Sequence, residues 1–185
     1  SLVIWHVGPR GLAMAHELYT RTNQKIYFAG LALDNLRKAE AGTSLHGQGQ
    51  VQAEREAALF HLYGALLGLC HEIAGYYRLP EANVPRAELL LNQAVLQAAP
   101  SPELAELVEL AQQSETWLAQ LLQAYAKLFQ PPQAPKTAKV DPTLPLIQAV
   151  TVEEEVPQLG REELEAWRQQ LKQLALRFRE SLSEC

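Results

Sequence analysis

The sequence predicts an all-α protein: an antiparallel helical bundle with a proline-rich linker and a C-terminal amphipathic helix. Apolar residues recur at helical spacing in several segments, and no segment shows convincing strand alternation. The prolines are also unevenly placed. None lies between Gly11 and Leu79, whereas six of the eleven fall between Pro131 and Pro157. Because proline disrupts helix interiors, long helices joined by short loops are expected before residue 131 and not directly after it.

The composition is that of an ordinary soluble globular protein. The 185 residues are 48% apolar and 20% charged, with a net charge of −5 that lacks the basic footprint of a nucleic-acid binder. The longest uncharged apolar stretch, residues 57–70, is too short to span a bilayer. Cys70 and Cys185 lie too far apart in sequence to indicate a disulfide framework. We therefore expect a cytoplasmic protein without a membrane partner.

The sequence also predicts three boundaries between segments of the chain. Residues 1–13 are expected to be a cloning remnant or an extra N-terminal extension, because "MAHELYTRTNQ" from Met14 reads like a natural beginning. Residues 14–130 are expected to form the bundle. Residues 131–158 form the proline-rich linker, and residues 159–185 the C-terminal helix.

Two long helices are predicted first. Helix one runs from about residue 16 to 41, where Gly42 stops it, and helix two from about 51 to 78. The apolar stripe of helix two is opposed by a face that carries Gly64, Gly68 and Gly75. Since glycine in a helix interior costs ~1 kcal/mol relative to alanine, we expect another backbone to approach that face closely.

Shorter helices follow. One is predicted over residues 87–98 and another from Ser101, which has the features of an N-cap followed by Pro102 at the first helical position. A third covers residues 114–129 with a dense amphipathic face.

The last predicted helix, residues 161–183, carries an apolar seam that we interpret as an interaction surface. A seam of large apolar side chains has to dock, either on its own bundle, which the tether favours, or on a partner copy. The seam consists of Leu164, Trp167, Leu171, Leu174 and Phe178.

Three polar residues inside helix two are candidates for a metal site: His61, His71 and Glu72. His61 and His71 are roughly 15 Å apart along a helix axis, so they cannot share one zinc ion bound at about 2 Å. Motifs such as HExxH are missing from the sequence. Packing roles are therefore favoured, and no metal or cofactor is predicted.

The segments "ELYTRTNQKIYFAGLAL" and "QAEREAALFHLYGALLGLCHEIAGYYRLP" resemble an uncharacterised family of small helical proteins of pseudomonads. The resemblance covers about residues 14–131. It implies a helical fold and no known activity.

Arg55 and His61 have the arginine-to-histidine spacing of the HEPN ribonucleases. The resemblance implies a helical bundle in which the pair meets at a dimeric site, where arginine binds phosphate and histidine moves a proton at the attacking 2′-hydroxyl. That family places the motif in a late helix, whereas helix two is early. Arg10 and His16 repeat the same spacing.

The function predicted from these observations is a non-enzymatic helical module that binds a protein partner or itself. One alternative is a HEPN-like ribonuclease that uses Arg55 and His61. A second alternative is a bundle that binds an apolar small molecule between its helices. Nucleic acid is not an expected partner, given the acidic charge balance.

Overall fold

The computed structural model describes residues 9–42, 45–132 and 159–183, with side chains from residue 16 onward. This part of the chain is helical and holds no strand, which confirms the all-α prediction. The helices are α1 (Pro9–Ala41), α2 (Gly47–Tyr76), α3 (Gln93–Ala98), α4 (Pro102–Gln112), α5 (Trp117–Lys127) and α6 (Arg161–Ser183), with a 3₁₀ turn at Ala87–Leu89.

Helices α1 and α2 form an antiparallel hairpin around the glycine-bearing face of α2. A Cβ atom built on Gly68 would lie 2.6 Å from Thr22 Oγ1 and 3.4 Å from Thr22 Cα. One turn earlier in α2, a Cβ on Gly64 would meet the Lys25 side chain at 3.3 Å. The close backbone approach predicted for this face is therefore present, and α1 is the element that makes it.

Helix α6 runs antiparallel to α1 along the same hairpin. Near its start, Arg161 pairs with Glu40 at 3.4 Å. One to two turns later, Arg168 Nε donates to the Ile26 carbonyl at 2.9 Å. Near its end, Arg179 donates to Asn23 Oδ1 and to the Tyr19 carbonyl of α1. The C-terminal helix is thus a third long element of the bundle.

Between α2 and α6, the described residues 77–132 form three short α-helices with side-chain caps. Ser101 Oγ accepts from the Leu104 amide, which confirms the predicted N-cap. The prediction of a single helix over residues 87–98 was wrong, because this segment forms a 3₁₀ turn followed by the separate helix α3. Asn92 adopts extended backbone between them and its side chain accepts from the Val95 amide, so it starts a new helix.

The start of α1 differs from the expected boundary, whereas the linker is almost wholly outside the described residues. Helix α1 begins at Pro9, inside the segment expected to lie outside the bundle. Of the linker predicted over 131–158, only residues 131 and 132 are described, and residues 133–158 lie outside the described part.

The core is built mostly from leucine and alanine on all the long helices. Its largest fully buried side chains include Leu36, Leu66, Leu107, Leu121 and Leu171. Helix α2 is long and apolar enough to cross a membrane by length and composition, yet most of its apolar window is buried inside the bundle. It therefore occupies the position of a core helix.

Alanine at two glycines of α2 should change stability in opposite directions. Gly68→Ala places a methyl group against Thr22, and overpacking of this kind costs about 1–3 kcal/mol. Gly49 has open space around its Cα, so Gly49→Ala should stabilise the helix by up to ~1 kcal/mol. Urea unfolding measures both changes. Equal midpoints for the two variants would contradict the close packing of α1 on α2.

Candidate functional site

His71 is a buried structural residue at the end of α2. Its Nε2 lies 2.7 Å from the Val84 carbonyl, and Arg21 Nη2 donates to its Nδ1. Because a carbonyl only accepts and a guanidinium only donates, the ring proton sits on Nε2 and the imidazole is neutral. Burial lowers the pKa of His71 below its usual 6.5, and the charge of Arg21 lowers it further against the opposing Val84 hydrogen bond. His71 thereby joins α1 to the loop after α2.

Glu72, the next residue, binds the C-terminal helix. Its side chain is 1% exposed and forms a two-point ion pair with Arg179, whose Nε lies 2.8 Å from Oε1 and whose Nη2 lies 3.1 Å from Oε2. Arg179 also donates to Asn23 Oδ1 at 2.8 Å and lies over the Tyr19 ring. One guanidinium therefore joins α1, α2 and α6.

The three metal candidates are not brought together. His71 and Glu72 have their polar atoms committed to the contacts above, and His61 lies about 15 Å away along α2. Within residues 16–42, 45–132 and 159–183, no group of three or more His, Cys, Asp or Glu side chains is placed to hold a metal ion.

Arg55 and His61 point in different directions from α2. Six residues of helix correspond to about 600° of rotation, so the two side chains leave the axis roughly 120° apart. Arg55 Nη1 donates to Gln52 Oε1 on its own helix at 2.8 Å. The His61 ring lies instead between two phenylalanine rings. Within one chain, the pair is not arranged around a common phosphate.

Cys70 does not qualify as a nucleophile. Its side chain is fully buried among core residues, and burial raises the pKa of its thiol far above the usual value. A thiol that stays protonated and inaccessible is chemically inert.

A line of aromatic rings crosses the outer side of the α1–α2 hairpin. Tyr27 and Phe28 have ring centroids 6.3 Å apart, Phe28 and His61 5.4 Å, and His61 and Phe60 5.3 Å. Leu31 lies one turn after Tyr27 on α1. We call these five residues the outer aromatic face.

Much of the outer aromatic face is open to solvent. Tyr27 is 60% exposed, Phe60 52% and Leu31 45%, whereas Phe28 and His61 are partly buried. Single exposed apolar residues are normal on a monomer surface, whereas exposed rings that other rings join into one continuous surface are typical of an interaction site.

Lys25 contributes a positive charge to one edge of this face. Its Nζ lies 5.9 Å from the ring centroids of both Phe28 and Phe60. Partial burial lowers the pKa of His61, and the Lys25 charge lowers it further. His61 is therefore mainly neutral near pH 7. Its Nδ1 is buried and has no hydrogen-bond partner among the described residues.

An open cleft of about 440 Å³ adjoins the other edge of the face. It separates α1 from the first half of α6, and Tyr27 and Leu31 belong to both the cleft and the outer aromatic face. Five of its other lining residues are charged: Asp34, Arg37, Arg161, Glu165 and Arg168.

The seam predicted as an interaction surface lies inside this chain's own core. All five of its residues are buried where α6 meets α1, α2 and α5. They are Leu164, Trp167, Leu171, Leu174 and Phe178. The seam therefore makes intramolecular contacts.

The outer aromatic face was not predicted from the sequence. Ile26 and Leu33 lie on the buried side of α1, but the exposure of Tyr27 depends on what covers the helix from outside. The available signal was three large apolar residues off the buried stripes: Tyr27, Leu31 and Phe60.

The family described as "Family of unknown function (DUF6586)" matches residues 14–185 of this chain. No curated protein and no solved structure is significantly similar to it.

Two arginines of α6 should differ sharply in their contribution to stability. Breaking a buried pair leaves a charge without compensation and costs about 3–5 kcal/mol, which we expect for Arg179→Ala. Arg177 pairs with Glu106 at an exposed position, where such pairs contribute less than about 1 kcal/mol. Chemical denaturation of both variants tests this. Similar losses for Arg177→Ala and Arg179→Ala would contradict the buried anchor.

Stability should fall on acidification through His71. The folded pKa is lowered, so the unfolded chain binds a proton below about pH 6.5 while the folded chain does not. The contribution is present above that pH and is lost as the pH falls through the folded pKa. Unfolding free energies between about pH 7.5 and 5 should therefore decrease less steeply for His71→Gln than for wild type. The variant His16→Gln, at an exposed position, is the matched control. Identical slopes for wild type and His71→Gln would contradict the assignment.

Proposed function

This chain belongs to the DUF6586 family, and we propose that it is a non-enzymatic protein-interaction module that binds its partner through the outer aromatic face. The single observation that carries the proposal is the solvent exposure of Tyr27, Leu31 and Phe60 on two packed helices, where the rings of Phe28 and His61 connect them. Aromatic side chains are enriched at the centres of protein interfaces, and each large apolar side chain that becomes buried contributes roughly 1.5–3 kcal/mol.

The geometry supports binding by a rigid surface. The ring of Phe28 on α1 contacts the ring of His61 on α2, and the two helices pack closely beneath these rings. A preformed surface pays little ordering entropy when a partner docks, so a modest apolar area can still give specific binding.

The alternatives have less support. A HEPN-like active site would need Arg55 and His61 to converge, and within the chain they leave α2 in different directions. An apolar small molecule would need an enclosed apolar pocket. The α1–α6 cleft is open and its walls carry Asp34, Arg37 and Glu165.

The class of partner and the cellular setting are predictions from the sequence. A protein partner or a second copy fits an aromatic surface, while a net charge of −5 disfavours nucleic acid. A bacterial, cytoplasmic setting without a membrane partner is part of the same proposal.

Removing the exposed rings should abolish partner binding and leave the fold intact. Tyr27→Ser/Phe60→Ser removes two exposed side chains, and each surface change of this kind costs about 0.5 kcal/mol or less. The matched control, Phe129→Ser/Leu176→Ser, removes two apolar side chains outside the face that are at least as exposed. Immobilised proteins are incubated with lysate of the source cells, and the bound proteins are quantified by mass spectrometry.

We expect a partner that wild type and the control retain and the face variant loses. A set of bound proteins unaffected by Tyr27→Ser/Phe60→Ser would contradict the proposal. Thermal unfolding of each variant verifies that lost binding does not reflect lost folding.

A further inference from the structure

Two cations on α1 lead directly into the outer aromatic face. Arg21, Lys25 and Phe28 are spaced by four and three residues, so they share one stripe of the helix. Along the axis, Phe28 lies roughly 5 Å from Lys25 and roughly 10 Å from Arg21. We call Arg21 and Lys25 the basic strip.

Neither cation of the basic strip forms an ion pair with a carboxylate among the described residues, so the strip is not neutralised within the protein. Arg21 donates to the neutral imidazole of His71. Lys25 lies near the Phe28 and Phe60 rings, which stabilise an ammonium group without cancelling its charge.

Cations on the other side of α1 are neutralised within the protein. The arginines that line the α1–α6 cleft each pair with a carboxylate at 3.4 Å or less. These pairs are Arg37 with Asp34, Arg161 with Glu40, and Arg168 with Glu165. Among the cations of α1 whose side chains are described, those without an ion pair therefore lie on the side that carries Phe28.

We propose that the partner of the outer aromatic face is an acidic–apolar segment of another protein, with carboxylates placed roughly 5–10 Å from its apolar side chains. Its apolar side chains pack on Phe60 and Tyr27, and its carboxylates pair with Lys25 and Arg21. This inference rests on the proposed function and adds the chemistry of the partner. Charge complementarity of this kind fixes orientation and rejects basic segments.

A short acidic segment fits better than a polyanion. Two cations form a small target, and the chain as a whole carries a net charge of −5. A nucleic acid would meet that negative field along its whole length, whereas a peptide of a few carboxylates is attracted locally and its charges further away are screened.

The test uses the full-length protein and a displayed library of random peptides of about a dozen residues, long enough to cover the distance from Phe60 to Arg21. Selections are run on wild type, on Lys25→Gln, on Lys127→Gln as a control at an exposed lysine of α5, and on the Tyr27→Ser/Phe60→Ser variant. Peptides selected on wild type are then synthesised, with each Glu or Asp also replaced by its amide, and their affinities are measured by fluorescence anisotropy.

We expect wild type and Lys127→Gln to select peptides that combine large apolar residues with Asp or Glu. Binding should weaken about tenfold for Lys25→Gln and for the amide peptide, as for loss of one charge-assisted contact. In a double-mutant cycle, the amide replacement should have little further effect on Lys25→Gln, because the two changes remove the same contact.

Failure of the two proposals can be told apart. Peptides that need Tyr27 and Phe60 but show no acidic preference would overturn this inference alone. A selection that gives no difference between wild type and Tyr27→Ser/Phe60→Ser would overturn the proposed function as well. Light scattering that shows a concentration-dependent dimer, lost in Lys25→Gln, would replace the separate partner with a second copy of the chain.

Discussion

The close contact between α1 and the glycine-bearing face of α2 is the constraint on which the rest of the structure depends. Gly68 leaves no room for a side chain beside Thr22, and the antiparallel hairpin adopts the register that brings this glycine against α1. That register places the stem of Lys25 against Gly64 and the ring of Phe28 against His61. The site is therefore a consequence of how the hairpin packs.

The same register explains why the C-terminal helix belongs to the fold. Glu72 is buried at the end of α2, and a buried carboxylate is tolerated only when a cation compensates it. Arg179 supplies that cation and also reaches Asn23, so α6 is positioned against both helices at once. Apolar packing of the seam contributes most of the free energy that holds α6 on the bundle, while this ion pair fixes the axial position of α6.

The two histidines of α2, His71 and His61, have different roles because different groups surround them. His71 is enclosed by Arg21 and the loop at Val84, so both ring nitrogens have partners. His61 lies ten residues earlier, under aromatic rings at the edge of the bundle. His71 therefore joins α1 to the loop after α2, whereas His61 is part of the outer aromatic face. Both residues lie in the same apolar stretch of sequence.

Local signals in the sequence determined the helical class, the N-cap at Ser101 and the buried seam of α6, because helical periodicity and capping depend on neighbouring residues. The glycines of α2 also predicted a close neighbour. Tertiary structure alone decided that this neighbour is α1, that Glu72 binds Arg179, and that Tyr27 and Phe60 stay exposed on the same side. These facts depend on which distant residues meet, and in a helix of this periodicity the same apolar residue can serve a core or a surface until its partners are placed.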